Sequence, residues 1–137
     1  MSRLFVRNLT VIDFAYLHAV RGLLGESWRV HVELVGDLDD QGMVLDFADV
    51  KRSVKRTLDE HFDHRLLVPA QHPGLTLERE AERLSLVFPL ADDEVIRHNS
   101  PAAAVTLIAA PVVDEPTVAA AARNPSSTSP GSRYARL

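Results

Sequence analysis

LGESWRVHVELVGDLDDQGMVLDFADVKRSVKRTLDEHFDHRLL, residues 24–67, holds one strand, one tight connection and one amphipathic helix that closes on an Asp-His pair. Trp28, Val30, Val32 and Leu34 alternate with Arg29, His31 and Glu33. A period of two sends an apolar row to one sheet face and a polar row to the other, so the spacing predicts a half-buried strand over 27–35. Gly36 and the acidic Asp37, Asp39 and Asp40 break the alternation, and Gln41-Gly42 supplies a flexible point where the chain turns back through Met43 and Val44. A helix is predicted from Asp46, an N-cap whose partner in a capping-box arrangement is Asp49. Phe47, Val50, Val54 and Leu58 recur at helical spacing down one stripe. Lys51, Arg52, Lys55 and Arg56 make the opposite face basic, which suits the negative end of the helix dipole. Asp63-His64 stands where this helix should stop.

Working outward, residues 3–17 (RLFVRNLTVIDFAYL) are apolar, free of proline and predict a long, bent first strand reaching His18. Residues 19–24 form a connection around Gly22, short enough to make the two strands antiparallel neighbours. Beyond the Asp-His pair, residues 66–73 read as irregular, bracketed by Pro69 and Pro73. Leu75 and Leu77, then Leu84, Leu86 and Phe88, alternate with polar residues around a charged tip and predict a hairpin over 75–88. Residues 92–101 read as a polar loop, and 105–113 as a strand that Pro111 ends or confines to an edge. Asp114-Glu115-Pro116-Thr117 is a helix start, and the Ser/Pro-rich residues 124–137 are expected to be a disordered tail after one domain spanning 1–123.

Composition narrows the function. A chain of 137 residues with 46% hydrophobic and 25% charged residues is expected to fold as a single globular domain. A formal charge of -4 argues against nucleic acid as a partner, because phosphate neutralisation needs a basic surface. No apolar run long enough to span a bilayer and no signal-peptide pattern is present, so a cytoplasmic location without membrane contact is expected. The chain has no cysteine, which removes disulfides, thiolate metal ligands and a cysteine nucleophile together.

The Phe14 and His18 of DFAYLH, the Gly25 of LGESW, the GMVLDF of 42–47 and the FDHRLL of 62–67 resemble the 6-pyruvoyltetrahydropterin synthase and 6-carboxytetrahydropterin synthase family. The resemblance covers residues 3–70 and, more faintly, 105–123, leaving the hairpin of 75–88 as an insertion. It implies an α+β tunnelling fold: an antiparallel sheet with helices packed on one face, in subunits that close into a ring with active sites between neighbours. A homo-oligomer is therefore implied, a hexamer being one stoichiometry, with the edge of the first strand covered by another chain. The implied activity is that of a lyase on dihydroneopterin triphosphate, a small-molecule pterin, in a pterin or queuosine-precursor pathway. In that chemistry zinc polarises the side-chain hydroxyls and Asp63-His64 relays protons.

Three departures stand beside the likeness. Of the three histidines with which similar proteins hold zinc, His18 falls on the first position, whereas the other two are Leu24 and Glu26. Glu26 is then an oxygen ligand or a substitute acid or base that contacts substrate; Leu24 coordinates nothing. The catalytic cysteine implied between His18 and Gly25 is absent, so Asp63-His64 lacks its exchange partner. Finally, Pro116-Thr117 is followed by Val118 and Ala119, without the implied Thr-x-Glu opening, and the last strand with its pterin-gripping glutamate gives way to the serine-rich tail. Two classes follow: a synthase-like enzyme, or a non-catalytic paralogue kept as a binding or assembly subunit. For His18 the bland alternative is a strand-end histidine satisfied by the backbone; for His64 it is a histidine favoured by the helix dipole. Trp28 reads as core, and His31, His61, His72 and His98 read as surface or loop residues.

Overall fold

Two long strands rich in β-branched and aromatic residues dominate the molecule: β1 (Ser2–His18) and β2 (Gly22–Gly36). The computed structural model describes residues 2–36 and 47–123. A turn of only Ala19, Val20 and Arg21 joins the strands, and Gly22 ends it at φ +78, a left-handed conformation that a side chain would strain. The short turn fixes the register, placing His18 opposite Gly22, Tyr16 opposite Leu24, Phe14 opposite Glu26 and Ile12 opposite Trp28. The predicted second strand over 27–35 therefore starts earlier, at Gly22, and Leu24 and Glu26 lie within it. Between Val6 and Thr10 the register shifts: four steps along β1 match two along β2, from Val32 to Val30. Asn8 sits in this bulge at φ +54, and its N–H donates to Nδ1 of His31 at 3.0 Å.

α1 (Phe47–His61) follows, and its Val54 and Leu58, with Phe62 just beyond, are buried. They meet Ile12 and Phe14 of β1, Val30 and Val32 of β2, and Val118, Ala121 and Ala122 of α2 (Glu115–Arg123) in one core. Both helices thus pack on one face of the sheet, each large buried aliphatic or aromatic side chain contributing about 1.5–3 kcal/mol. Lys51, Arg52, Lys55 and Arg56 are exposed, as predicted, and Lys55 pairs with Asp59 at 2.9 Å. α2 opens on reciprocal bonds: the Thr117 N–H donates to Oδ1 of Asp114 at 3.0 Å, and the Asp114 N–H to Oγ1 of Thr117 at 2.9 Å.

Two predicted loops are strands. Residues 66–73 contain β3 (Leu66–Pro69), which pairs in parallel with β1 at Ala15 and Tyr16 and with β7 (Val105–Ile108) along its length. β3 is buried on both faces: Leu67 joins the helix-side core, whereas Leu66 and Val68 pack against the second sheet. Such a strand shows a continuous apolar run without alternation, which hides it beside two prolines. Residues 92–101 contain β6 (Val95–Pro101), polar because much of it faces solvent. It completes an antiparallel sheet with β4 (Thr76–Glu80) and β5 (Arg83–Pro89), the predicted hairpin.

The architecture is α+β, with a four-stranded sheet in the order β2-β1-β3-β7 and a three-stranded sheet in the order β4-β5-β6. The antiparallel expectation holds for β1–β2 and throughout the second sheet, while β3 and β7 join in parallel. The strand predicted over 105–113 ends at Ile108, ahead of Pro111. The acidic run 37–40, the Gln41-Gly42 turning point, the Asp46 cap and the tail 124–137 lie outside the described residues, as do the side chains of Leu34, Phe47 and Val50.

Candidate functional site

The end of α1 is folded onto the middle of β1. The Leu58 carbonyl accepts from the N–H groups of both Phe62 and Asp63 at 2.9 Å, and His64 then reverses the chain at φ +58. A non-glycine residue there is strained by about 1–2 kcal/mol and needs its surroundings to hold it. The hold is a set of bonds to β1. The Asp13 N–H donates to Oδ1 of Asp63 at 2.8 Å, the His64 N–H to the Asp13 carbonyl at 2.7 Å, and the Ala15 N–H to the Arg65 carbonyl at 3.0 Å. Phe62, fully buried, anchors the corner from beneath.

This corner forms one wall of an open cleft lined by Asp13, Ala15, Glu26, Ser27, His64 and Arg65, with Phe14, Gly25 and Leu66. Of the sequence-predicted residues, His64 and Glu26 border it together, and Asp63 supports it from behind. Nε2 of His64 lies 3.3 Å from Oδ2 of Asp63; the His64 side chain is 78% exposed and that of Asp63 19%. A contact so open to solvent contributes little stability. Asp63 is therefore held chiefly by the β1 backbone, with its second oxygen beside the His64 ring.

Sequence reasoning missed Asp13 and Ser27. They face each other across one rung of the ribbon, and the Ser27 hydroxyl donates to Oδ1 of Asp13. Alternation sends this pair to one face and Phe14 and Glu26 to the other, so Glu26 borders the cleft from a neighbouring rung. The signal was the short turn, which sets the register once its length is known.

His18 is elsewhere, at the far end of β1. The zinc positions implied by resemblance, His18, Leu24 and Glu26, occupy separate rungs of the ribbon. Leu24 offers no donor atom, and Glu26 lies four residues beyond Gly22, the partner of His18, roughly 13 Å of strand. Among the described residues no group of three or more His, Asp or Glu side chains could hold a metal ion. These residues do not fit the zinc that the resemblance implies.

Comparison with known proteins places this geometry. The family model described as 6-pyruvoyl tetrahydropterin synthase matches residues 11–124. An Archaeoglobus fulgidus protein provisionally described as a 6-carboxy-5,6,7,8-tetrahydropterin synthase is 37% identical over 61 residues, 40% of this chain and 52% of its own. A Pyrococcus horikoshii protein with the same description is 32% identical over 57 residues, 42% of this chain and 33% of its own. The chain thus spans about half the length of the first relative and a third of the second. The crystal structure of 6-pyruvoyl tetrahydropterin synthase from Plasmodium vivax superposes with a TM-score of 0.68 at 20% identity, covering 90% of this chain and 76% of that one. That likeness shows the fold; another structure of the same protein replaces a glutamate described there as a catalytic residue. With the family model spanning both helices, both sheets and the cleft, the chain belongs to the 6-pyruvoyl tetrahydropterin synthase family.

Proposed function

We propose that this chain is a pterin-binding member of its family that acts on dihydroneopterin triphosphate by proton transfer in the cleft between β1, β2 and the 62–65 corner. The observation that carries the reading is the fixed wall itself: Asp63, locked to the β1 backbone at 2.8 Å, places its other carboxylate oxygen 3.3 Å from Nε2 of His64, beside a cleft that Glu26 also borders. His64 is the group that takes and returns a proton, through the ring nitrogen that Asp63 does not face, Asp63 is its positioning residue, and Glu26 contacts substrate. A glutamate described as catalytic in the Plasmodium vivax protein supports an acidic side chain in such a role. The zinc positions implied by the resemblance do not fit a metal, and the proton transfer proposed uses side chains of the chain alone.

The test is turnover of dihydroneopterin triphosphate, followed by product chromatography, beside a direct binding titration. His64→Ala should lower turnover by about 10²-fold or more, the usual contribution of a general acid-base, while binding persists. Unchanged turnover in that variant would remove His64 from the mechanism.

A second reading is favoured by the same donor set. With Leu24 in a ligand position and no cysteine in the chain, a paralogue that binds a pterin or assembles with partners without turning it over has the same scaffold. Binding without product, in every preparation, would select it. Either reading includes a homo-oligomeric ring: β2 lies at the sheet edge, and β3 covers β1 only at Ala15 and Tyr16, so both long strands leave edges that another subunit would cover. Light scattering on the full chain tests this, and a monomer at all concentrations would refute it.

A further inference from the structure

We infer that His18 has become the cap of the β1–β2 turn, an acceptor for backbone amides, and that the hairpin holds no zinc. The N–H groups of Val20 and Arg21 both donate to Nδ1 of His18, at 3.1 and 3.0 Å. A nitrogen that accepts two amide hydrogens presents its lone pair to them and carries no proton. In a neutral imidazole the proton is then on Nε2. A metal-bound histidine has the reverse arrangement, one nitrogen on the ion and the other donating its N–H to an acceptor. With Nδ1 facing donors, ligation through Nε2 would leave the ring without any proton, and ligation through Nδ1 would take the acceptor from both amides.

The rest of the hairpin fits this assignment. The turn is short, and its two consecutive amides, those of Val20 and Arg21, converge on the one ring nitrogen. The same ribbon repeats the device at its bulge, where Nδ1 of His31 accepts the Asn8 N–H at 3.0 Å. The Ala19 carbonyl accepts the Ala91 N–H at 2.8 Å, so the capped turn also ties the ribbon to the second sheet. His18 is thus a positioning residue: it sets the turn length, the turn sets the register, and the register sets Asp13 opposite Ser27 in the cleft.

The experiment uses the full, tag-free chain with His18→Ala and His18→Asn beside it, Asn having an oxygen that reaches the place of Nδ1. A long-range ¹H–¹⁵N spectrum of the unsubstituted protein should show the His18 proton on Nε2; a proton on Nδ1 overturns the assignment, whether or not any variant folds. After incubation with zinc and desalting, metal analysis should find no zinc that depends on His18. About one zinc per chain, lost in His18→Ala, overturns it, whereas equal zinc in both proteins leaves the hairpin unligated, as inferred. In urea, His18→Ala should lower the unfolding midpoint and His18→Asn should recover most of the loss; equal midpoints for His18→Ala and the unsubstituted chain refute the cap.

Discussion

Two histidines that terminate secondary structure, His18 at the end of β1 and His64 after α1, sit in opposite chemical settings. His18 is partly buried, and its Nδ1 is consumed by two backbone donors. His64 has a 78% exposed side chain; its backbone N–H is fixed to the Asp13 carbonyl, and its ring meets a carboxylate oxygen. The first ring is turned to the backbone of its own turn, the second stands in the open at the border of the cleft. Position relative to a family motif does not separate these roles; the identity of the atoms facing each nitrogen does.

The largest effect is expected beneath the His64 corner. Phe62→Ala should cost about 3–5 kcal/mol, read from urea denaturation, because it empties a fully buried site between α1 and the sheet. A cost below about 1 kcal/mol would mean the corner is not anchored by Phe62. Next comes the carboxylate: Asp63→Ala should cost about 1–3 kcal/mol by removing the charged acceptor of the Asp13 N–H, and Asp63→Asn, which keeps an acceptor, distinctly less. Equal losses in the two variants would show that charge, not the backbone bond, is what Asp63 supplies. At the other terminus, His18→Ala should cost about 1 kcal/mol, the usual size of a lost side-chain cap. The smallest change is at His64 itself, where His64→Gly should leave stability within about 0.5 kcal/mol or raise it, since glycine accepts φ +58 without strain. That variant should still lose turnover under the proposed function, which separates the ring's chemistry from its backbone. A marked destabilisation by His64→Gly would mean the side chain holds the corner after all.

Much of this fold was legible because its long elements carry clean periodicity. β1, β2, α1, the β4–β5 hairpin and α2 all follow from alternation, helical stripes or cap residues. β3 was not legible, because burial on both faces removes the alternation that marks a strand, and β6 was not, because its exposed side chains read as loop. Around the cleft, Asp63, His64 and Glu26 stood out as residue types near a motif, and the fold brings them to one place. Asp13 and Ser27 belong to no motif. They meet only through the register of the ribbon, which the length of the turn at its end determines.

The bulge near Asn8 has a further consequence for how this ribbon can vary. Its excess over β2 is two residues, an even number, so Val6 still packs with the same core as Ile12 on the far side of the irregularity. A length change of one residue between Val6 and Thr10 would carry Phe5 and Val6 to the wrong faces. Changes in pairs would be silent for facing and alter only the local twist. The ribbon therefore counts its insertions and deletions modulo two, and the outer half of β1 can lengthen or shorten in steps of two while the cleft at Asp13 keeps its place.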